Sequence, residues 1–392
     1  MRPRHSIRRL LLPALASLVF AALAGGTAAA GPIAAAQPTA ARTSAARTSA
    51  STSTSTSASA WQTSGNVHGC GPTVHLKVPT QSSDYFAQHP AQLLADPASG
   101  QATSYSALLN RIAGAHIHYI TSLTCGKGRP GQEVPKPATT GKTHSAASAA
   151  TTTPSDSNWG GYQSQSTNVK YFGAAMDWTV PAPQAMANST VVSSIWPGIG
   201  SGDSTEDTLI QAGTGQDNAC YVGCYFYANV YDFWLELYPQ QSQVIVDNMA
   251  VYPGDAVAVL IQYDPATQTA NFLFTDFTQK TGGSVSETVT GTDPGSGSQA
   301  EWILERTEVN GSLTQLGNFG TLNVTGAEAY EGTTAANAQA YPADDPTVDP
   351  SEDAMHDCAG QQLEQSSPIT GGTAFSISWL AFGTYDPVGC TS

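Results

Sequence analysis

The sequence predicts an all-β protein, a two-sheet antiparallel β-sandwich preceded by a mostly low-complexity N-terminal segment. Three observations lead to this prediction. Basic residues concentrate in the first 150 residues and acidic ones in the remainder. Stretches rich in Ser, Thr, Ala and Pro end near residue 151. Beyond that point, runs of Val, Ile, Tyr, Phe and Trp alternate with polar residues at period two, which is typical of strands with one buried face.

The candidate strands are separated by Gly, Pro, Asp and Asn, which favour turns. They are Lys170–Val180, Thr190–Trp196, Tyr225–Tyr238, Val244–Val251, Ala256–Tyr263, Thr269–Phe277, Ser284–Thr290, Glu301–Glu308, Asn318–Val324 and Ala374–Phe382. No helical stripe interrupts them. About ten strands joined by long meanders favour a sandwich in which polar residues line one open face.

The charge distribution excludes two classes of function for the C-terminal part. Residues 1–150 hold 12 Lys and Arg against 3 Asp and Glu, a net charge of +9, while residues 151–392 hold 3 against 27, a net charge of −24. Three cations cannot form a nucleic-acid-binding face. Since His356 is the single histidine after residue 150, a His-rich zinc site is excluded as well.

The N-terminal part divides into segments of different composition. Residues 1–30 combine four arginines, an apolar run and a small-residue cleavage motif, and they predict a signal peptide and a secreted, extracellular product without a membrane span after cleavage. Residues 31–151 form a basic prosegment or linker, within which residues 61–130 are expected to be partly ordered, with a strand near 73–78 and a helix near 106–113. Residues 152–392 are the acidic domain.

In an exported protein the six cysteines are expected to form disulfides. Their spacing suggests the pairs Cys70–Cys125, Cys220–Cys224 and Cys358–Cys390, although six cysteines allow 15 connectivities.

With one histidine and no free thiol, carboxylates become the candidate catalytic groups. Alternation places Trp234, Glu236 and Tyr238 on one face of a strand and Phe233, Leu235 and Leu237 on the other. In the same way Glu301 and Glu305 share a face, opposite Trp302 and Leu304. His356 is expected to be a surface-loop residue, and the acidic loop around it lacks the spacing of a calcium-binding EF-hand.

Six short motifs follow one another in residues 157–305. They are Ser157-Asn158-Trp159-Gly160-Gly161, Trp196-Pro197-Gly198-Ile199-Gly200, Leu209-Ile210-Gln211-Ala212-Gly213, Trp234-Leu235-Glu236-Leu237-Tyr238-Pro239, Gly254-Asp255 and Ala300-Glu301-Trp302-Ile303-Leu304-Glu305. Each is unspecific alone, but in this order the set resembles the glutamic peptidases, the eqolisin family, and specifically a secreted member of bacterial type. The resemblance implies a lectin- or glucanase-like jelly roll with the active site on the concave face of one sheet.

The resemblance also implies roles for individual residues. Gln211 and Glu305 match the catalytic pair, and Glu301 would be a neighbour of the base. Glu305 would take a proton from the attacking water and return it to the leaving amine, while the amide of Gln211 would donate to the developing oxyanion. No metal or cofactor is expected. The resemblance implies a monomeric enzyme that acts on polypeptide substrates at acidic pH.

The supporting positions implied by the resemblance are Trp196, Trp234, Glu236 and Tyr238, which would line the substrate cleft. The chain departs from the family where an aspartate often follows the Trp-x-Gly-Ile motif. Gly200 takes that place, and Asp203 is the candidate substitute.

Two other functions use the same residues. A glycoside hydrolase would employ Glu236 and Glu305 as carboxylates about 5–10 Å apart. A carbohydrate-binding lectin would use the aromatic residues as sugar platforms. Only the peptidase requires Gln211.

The opposite charges of the two halves also suggest a zymogen. In this hypothesis the basic segment lies on the acidic cleft at neutral pH and is released when carboxylates lose their charge in acid. The alternative is a stalk or an unrelated basic module.

Overall fold

A computed structural model of the chain describes residues 59–67, 69–71, 73–94, 107–127, 132–133, 155–166, 168–200, 208–221, 226–290, 299–345 and 349–387. Residues 57–392 form one compact unit. The predicted signal peptide, the linker before residue 59 and three of the predicted site or disulfide residues, Asp203, Cys224 and Cys390, lie outside the described residues.

Most elements of the described chain are β-strands. In chain order they are β1 (Trp61–Asn66), β2 (Val74–Pro79), β3 (His118–Tyr119), β4 (Cys125–Lys127), β5 (Gln132–Glu133), β6 (Ser155–Asp156), β7 (Trp159–Gln165), β8 (Lys170–Thr179), β9 (Val191–Gly200), β10 (Leu209–Tyr221), β11 (Phe226–Tyr238), β12 (Gln241–Val246), β13 (Ala256–Asp264), β14 (Thr269–Asp276), β15 (Thr281–Thr288), β16 (Gln299–Arg306), β17 (Glu308–Val309), β18 (Ser312–Leu313), β19 (Thr321–Gly332), β20 (Gln339–Pro342), β21 (Asp349–Met355), β22 (Glu364–Ser366), β23 (Phe375–Trp379) and β24 (Asp386–Pro387). The α-helices are α1 (Ser83–Gln88) and α2 (Ala107–Gly114), and short 3-10 helices span Pro90–Leu93 and Ala335–Asn337.

Two large sheets face each other, which confirms the predicted all-β sandwich. The front sheet has the order β4-β12-β11-β10-β9-β16-β7-β21-β6. The back sheet has the order β1-β2-β15-β14-β13-β8-β19-β23-β22, with β3 beside β15 and β20 beside β19. A small sheet, β24-β18-β17-β5, lies apart from both. The main hydrophobic core fills the space between the front and back sheets, with Ile195, Leu235 and Trp302 from the front and Val259 and Phe272 from the back.

The alternation read from the sequence agrees with the faces found in the structure. Phe233, Leu235 and Leu237 belong to the core between the sheets, whereas Trp234 and Tyr238 belong to a separate cluster on the outer face of the front sheet. Most long strands in the C-terminal part were predicted with errors at their ends, and the prediction for β19 stopped at Val324, eight residues before the strand ends at Gly332. Strands β7, β10 and β21 were missed; glycines weaken the strand pattern in β7 and β10, and acidic residues and a proline weaken it in β21.

The described residues between 59 and 127, which we call the N-terminal module, pack against the sandwich. Helix α2 covers the outer face of the back sheet, and the module's strands extend the edges of both sheets. The predicted helix and strand of this region are both present, as α2 and β2. The predicted domain boundary near residue 152 stays a prediction.

The position of the module differs from the position over the acidic cleft that the zymogen hypothesis predicts. Its helices lie on the outer face of the back sheet, where α2 packs through its apolar residues Leu108, Leu109 and Ile112, and its strands lie at the edges of the two sheets. The Cys70–Cys125 disulfide is confirmed. Cys220 and Cys358 are also disulfide-bonded.

Among the described residues, no helix has the length and apolar character needed to cross a membrane.

Candidate active site

Five neighbouring strands of the front sheet, β11, β10, β9, β16 and β7, carry those predicted site residues that the structure describes, on their outer face. Side chains that face outward include Trp159, Trp196, Gln211, Trp234, Glu236, Glu301, Ile303 and Glu305. Residues between them in sequence, such as Ile210 and Trp302, face the core. The front sheet thus holds aromatic and polar side chains on one surface because alternate residues point to opposite faces.

Strand register assembles one polar row across this face. Gln211 pairs with Glu236 on one side and with Gly198 on the other, and Gly198 pairs in turn with Glu301. Glu301 also pairs with Gln163 on β7. Gln211 and Glu301 therefore flank the glycine from opposite sides, with their Cα atoms about 10 Å apart at two strand spacings.

Because Gly198 has no side chain, the side chains of Trp196 and Glu301 pack directly over its Cα atom. A Cβ atom at this position would lie 3.1 Å from Oε2 of Glu301 and 2.8 Å from Cζ3 of Trp196. The carboxylate of Glu301 and the indole of Trp196 thus both reach over the glycine. Any side chain at residue 198 would displace one of them.

The amide of Gln211 is oriented by Glu236. Its Nε2 donates a hydrogen bond of 2.9 Å to Oε2 of Glu236, and both residues are buried. One amide hydrogen is used in this contact, so the second hydrogen and the oxygen Oε1 remain for other partners. This arrangement fixes a neutral donor on the strand next to Gly198.

Glu305 lies in a different row from Gln211. It pairs with Ser194 on β9 and Trp159 on β7, four residues along β16 from Glu301. Four residues correspond to about 13 Å along a strand. The row of Trp196 and Ile303 separates the two positions. The structure therefore brings Gln211 together with Glu301 and does not bring it together with Glu305.

A hydrogen-bond network holds the Glu305 carboxyl group in place. Nδ2 of Asn158 donates to Oε1 at 3.0 Å, and Nε1 of Trp196 donates to Oε2 at 2.8 Å. The ring of Trp159 packs edge-to-face on Trp196 with centroids 4.9 Å apart. Burial raises the pKa of Glu305 to about 8, although these hydrogen bonds oppose the shift. Glu305 is therefore protonated in acid and orients the indole that lies over Gly198.

Asp353 on β21 adds a further carboxyl group near the polar row. It pairs with Gly161, which has no side chain, and it is 4 % exposed. Burial raises the pKa of Asp353 well above its usual range, and the negative charges of Asp156 and Glu301 raise it further. Asp353 therefore keeps its proton to a higher pH than an ordinary aspartate does.

The predicted substrate-binding residues occupy the same face. Trp234 lies one row from Gln211, and Tyr238 lies on the other side of the polar row, opposite Leu209.

The surroundings of Gly200 give a physical reason for the absence of the aspartate that the family motif often has there. A Cβ atom there would lie 2.8 Å from the backbone oxygen of Thr208 and 2.9 Å from Cα of Leu209, so an aspartate does not fit in this position.

The structure places further side chains near the predicted site residues. Glu301 was taken as a neighbour, and Asn158 and Asp353 received no role. The Ser-Asn-Trp-Gly-Gly motif was a signal for Asn158, since it precedes a glycine-rich strand. For Asp353 the sequence offers no comparable signal.

His356 contributes nothing to the polar row. It is half-buried, and its Nδ1 lies 2.9 Å from the backbone oxygen of Ala354. In the part of the chain that the structure describes, no group of three or more His, Cys, Asp or Glu side chains is arranged to hold a metal ion.

The spacing in the sheet also bears on the glycoside hydrolase alternative. Glu236 and Glu305 are separated by three strand spacings across the sheet and four residues along it, which amounts to nearly 20 Å between Cα atoms. This exceeds the separation of about 5–10 Å that paired glycosidase carboxylates require.

Comparison with known proteins gives one curated relative and several solved structures. Aspergillopepsin-2 of Aspergillus niger is 32% identical over 142 residues, which cover 36% of this chain and 46% of the relative. The match thus spans less than half the length of that protein. A crystal structure of scytalido-glutamic peptidase with a transition state analog inhibitor covers 57% of this chain and 98% of its own, with 17% identity and a TM-score of 0.43. Aspergilloglutamic peptidase from Aspergillus niger covers 48% of this chain and 99% of its own, with 23% identity and a TM-score of 0.39.

The family comparison covers the region that carries the site. The model of the Peptidase A4 family matches residues 157–379, which include all six sequence motifs and strands β7 to β23. Because this match extends over more than half of the chain, the protein belongs to the Peptidase A4 family, the family of the glutamic peptidases.

Proposed function

We propose that the chain is a secreted, monomeric acid endopeptidase that hydrolyses polypeptides with a glutamate and a glutamine and without a metal or cofactor. Membership of the Peptidase A4 family supports the reaction class. The single observation that carries the choice of residues is the polar row in which Gln211 and Glu301 flank Gly198.

In the proposed reaction, Glu301 acts as the general base. An ionised carboxylate over Gly198 accepts a proton from a water molecule that attacks the scissile carbonyl carbon. Once protonated, Glu301 returns that proton to the nitrogen of the leaving amine.

Gln211 acts as the electrophilic partner. Its Nε2 hydrogen that is not donated to Glu236 points to the carbonyl oxygen, where negative charge develops in the transition state. Loss of one such donor typically costs about 3 kcal/mol of transition-state stabilisation. Because an amide does not titrate, this contribution persists throughout the acidic range.

Glu305 was the base implied by the family resemblance, and two observations support Glu301 in its place. Glu305 lies about 13 Å along the strand from the row of Gln211. Its two carboxyl oxygens already accept hydrogen bonds from Asn158 and Trp196. We assign Glu305 the task of positioning Trp196 through the 2.8 Å hydrogen bond.

Three variants test this assignment with an unfolded protein as substrate in acid, in the presence of a chelator and a serine-peptidase inhibitor. We expect Glu301→Gln to reduce kcat to background and Gln211→Ala to reduce it about a hundredfold or more. Glu305→Gln should reduce kcat by less than about tenfold, because an amide can still accept from Trp196.

The matched pair of glutamate variants decides between the two bases. If Glu305→Gln abolishes kcat while Glu301→Gln keeps it, Glu305 rather than Glu301 is the general base. Full activity in Gln211→Ala would contradict the glutamine mechanism altogether. Circular dichroism of each variant verifies that the sandwich is folded.

A further inference from the structure

The outer face of the back sheet carries an apolar surface that the N-terminal module covers. We propose that this surface is a permanent docking site for the module, which stays bound to the sandwich after the chain between residues 128 and 154 is cut. The mature protein would then consist of two associated fragments. This proposal rests on the fold alone and is independent of the peptidase mechanism.

Apolar side chains from the module and the sandwich form one continuous cluster. Leu109 and Ile112 of α2 are 0% and 1% exposed, and they pack with Ala258 and Leu260 of β13 and Leu273 of β14. Trp61 of β1, Phe86 of α1 and Tyr119 of β3 join the same cluster. Removal of the module would expose this whole face to water, which opposes its release.

The module also extends both sheets at the same side of the sandwich. Strand β2 pairs with β15 through four residues, from Ser284↔Lys77 to Glu287↔Val74. Strand β4 pairs with β12 through Val244↔Lys127, Ile245↔Gly126 and Val246↔Cys125. The disulfide from Cys70 to Cys125 joins the β1–β2 hairpin to β4. The module therefore pairs with one edge strand of each sheet, and the Cys70–Cys125 disulfide links the two pairing segments covalently.

Charge has a minor part in this contact. Arg111 of α2 forms an ion pair with Asp177 of β8 and lies 4.1 Å from the centroid of the Phe277 ring. It is the one ion pair between module and sandwich among the described residues. Since burial of apolar surface does not depend on ionisation, docking should persist in acid as well as at neutral pH.

Docking in this position leaves the candidate active site uncovered by the module's helices. Helices α1 and α2 lie on the outer face of the back sheet, and the polar row lies on the outer face of the front sheet. Both sheets and the main core separate the two surfaces. A bound module is thus compatible with access to the polar row, in contrast to an inhibitor that occupies it.

The test uses the full secreted chain with a site-specific protease sequence inserted among residues 137–150, a Pro-, Thr-, Ser- and Ala-rich stretch. After complete cleavage, size-exclusion chromatography with light scattering is run under acidic and neutral conditions. We expect both fragments in one peak, in equal amounts, at the mass of the uncut chain under both conditions. Separation under either condition would overturn the proposal, and separation in acid alone would instead support docking by charge.

A variant and its matched control assign the contact to α2. Ile112→Asp introduces a carboxylate into the buried apolar cluster, whereas Asn110→Asp adds the same group at an exposed position of the same helix. After cleavage, the fraction of module bound should fall at least tenfold in Ile112→Asp and remain unchanged in Asn110→Asp. Equal retention in both would contradict docking through α2.

Both readouts, mass and elution, are independent of catalysis. A cut chain whose fragments stay associated but hydrolyse no peptide would contradict the proposed function and leave the docking proposal intact. If Ile112→Asp fails to fold, the elution of the cut wild-type chain decides the matter without it.

Discussion

At the residue scale, the choice of Glu301 or Glu305 as the general base depends on which of them the strand register places beside Gln211, since they are four residues apart on β16. Both side chains lie on the same face of β16, so alternation alone does not distinguish them. Pairing with β9 distinguishes them, because Glu301 stands opposite Gly198 and Glu305 opposite Ser194. Register is set by contacts between distant segments, which a single sequence does not display. For this reason the sequence alone did not reveal that Glu301, rather than Glu305, shares a row with Gln211.

Gly198 offers a direct test of the geometry of the polar row. Gly198→Ala would place a methyl group 3.1 Å from Oε2 of Glu301 and 2.8 Å from the Trp196 ring, so both must shift. A displacement of about 1 Å in a catalytic group can cost on the order of a hundredfold in rate. We expect kcat/KM to fall at least about tenfold.

Gly114→Ala is the matched control for this substitution. Its Cβ atom would meet no heavy atom within 4 Å, and it lies in the N-terminal module. Unchanged kcat/KM in Gly198→Ala would show that the space above residue 198 is not where the reaction takes place.

At the element scale, the C-terminal end of β16 is anchored by a buried ion pair. The guanidinium of Arg306 donates from Nε to the backbone oxygen of Ser157 at 2.6 Å and from Nη2 to Oδ2 of Asp386 at 2.5 Å. Nη1 donates to the backbone oxygen of Thr384 at 3.2 Å. These bonds connect β16, the segment before β7 and the C-terminal strand β24. The sequence showed a lone arginine in this part of the chain but not these three partners, which lie 78 to 149 residues away.

Replacing this arginine should destabilise the sandwich strongly. Arg306→Ala leaves Asp386 buried without its cation, and breaking a buried pair costs about 3–5 kcal/mol. Urea unfolding followed by tryptophan fluorescence measures the free energy of unfolding. The double variant Arg306→Met with Asp386→Asn should recover part of the loss, since no charge is then left buried. A loss below about 1 kcal/mol in Arg306→Ala would show that the pair contributes little.

The same pair responds to pH in a defined direction. Burial of Asp386 would raise its pKa, but the hydrogen bond from Thr384 and the hydrogen bond and charge of Arg306 lower it below its ordinary value. A carboxyl group with a lowered pKa stabilises the fold above its unfolded-state pKa, and that contribution is lost as pH falls through the folded-state pKa.

At the scale of the whole molecule, more of the described carboxyl groups have a pKa raised by burial than have a pKa lowered as in the Arg306–Asp386 pair. Burial raises the pKa of Glu287 and of Glu305 to about 8. It likewise raises the pKa of Glu331 and of Glu364 to about 7. The acidic composition predicted a protein that carries carboxylates at neutral pH, but only the fold shows that several of them are enclosed.

The sign of the resulting pH dependence follows from linkage. Between the unfolded-state pKa near 4 and the folded-state values of about 7 to 8, the folded chain binds more protons than the unfolded chain. The free energy of unfolding therefore falls as pH rises through this window. We expect the highest melting temperature in acid, near pH 4, and a steady decrease towards about pH 8.

Glu287 provides the variant that isolates one of these groups. Glu287→Gln removes a carboxyl group that accepts from Thr73 of the module, so it should flatten the decrease of Tm with pH. Asp344→Asn, at an exposed position, removes one charge without removing a buried carboxyl group and should leave the slope unchanged. Differential scanning calorimetry across the pH range checks both. A Tm that rises from acid to neutral pH would contradict the assignment.

The covered back sheet has a practical consequence for anyone who produces this peptidase in a heterologous host. A gene trimmed to the family region, beginning at residue 157, would leave Ala175, Ala258, Leu260 and Leu273 facing solvent. Exposed apolar patches of this kind promote self-association, so such a product is expected to accumulate as inclusion bodies. Co-expression of residues 59–127 as a separate polypeptide should restore a dispersed, correctly folded product.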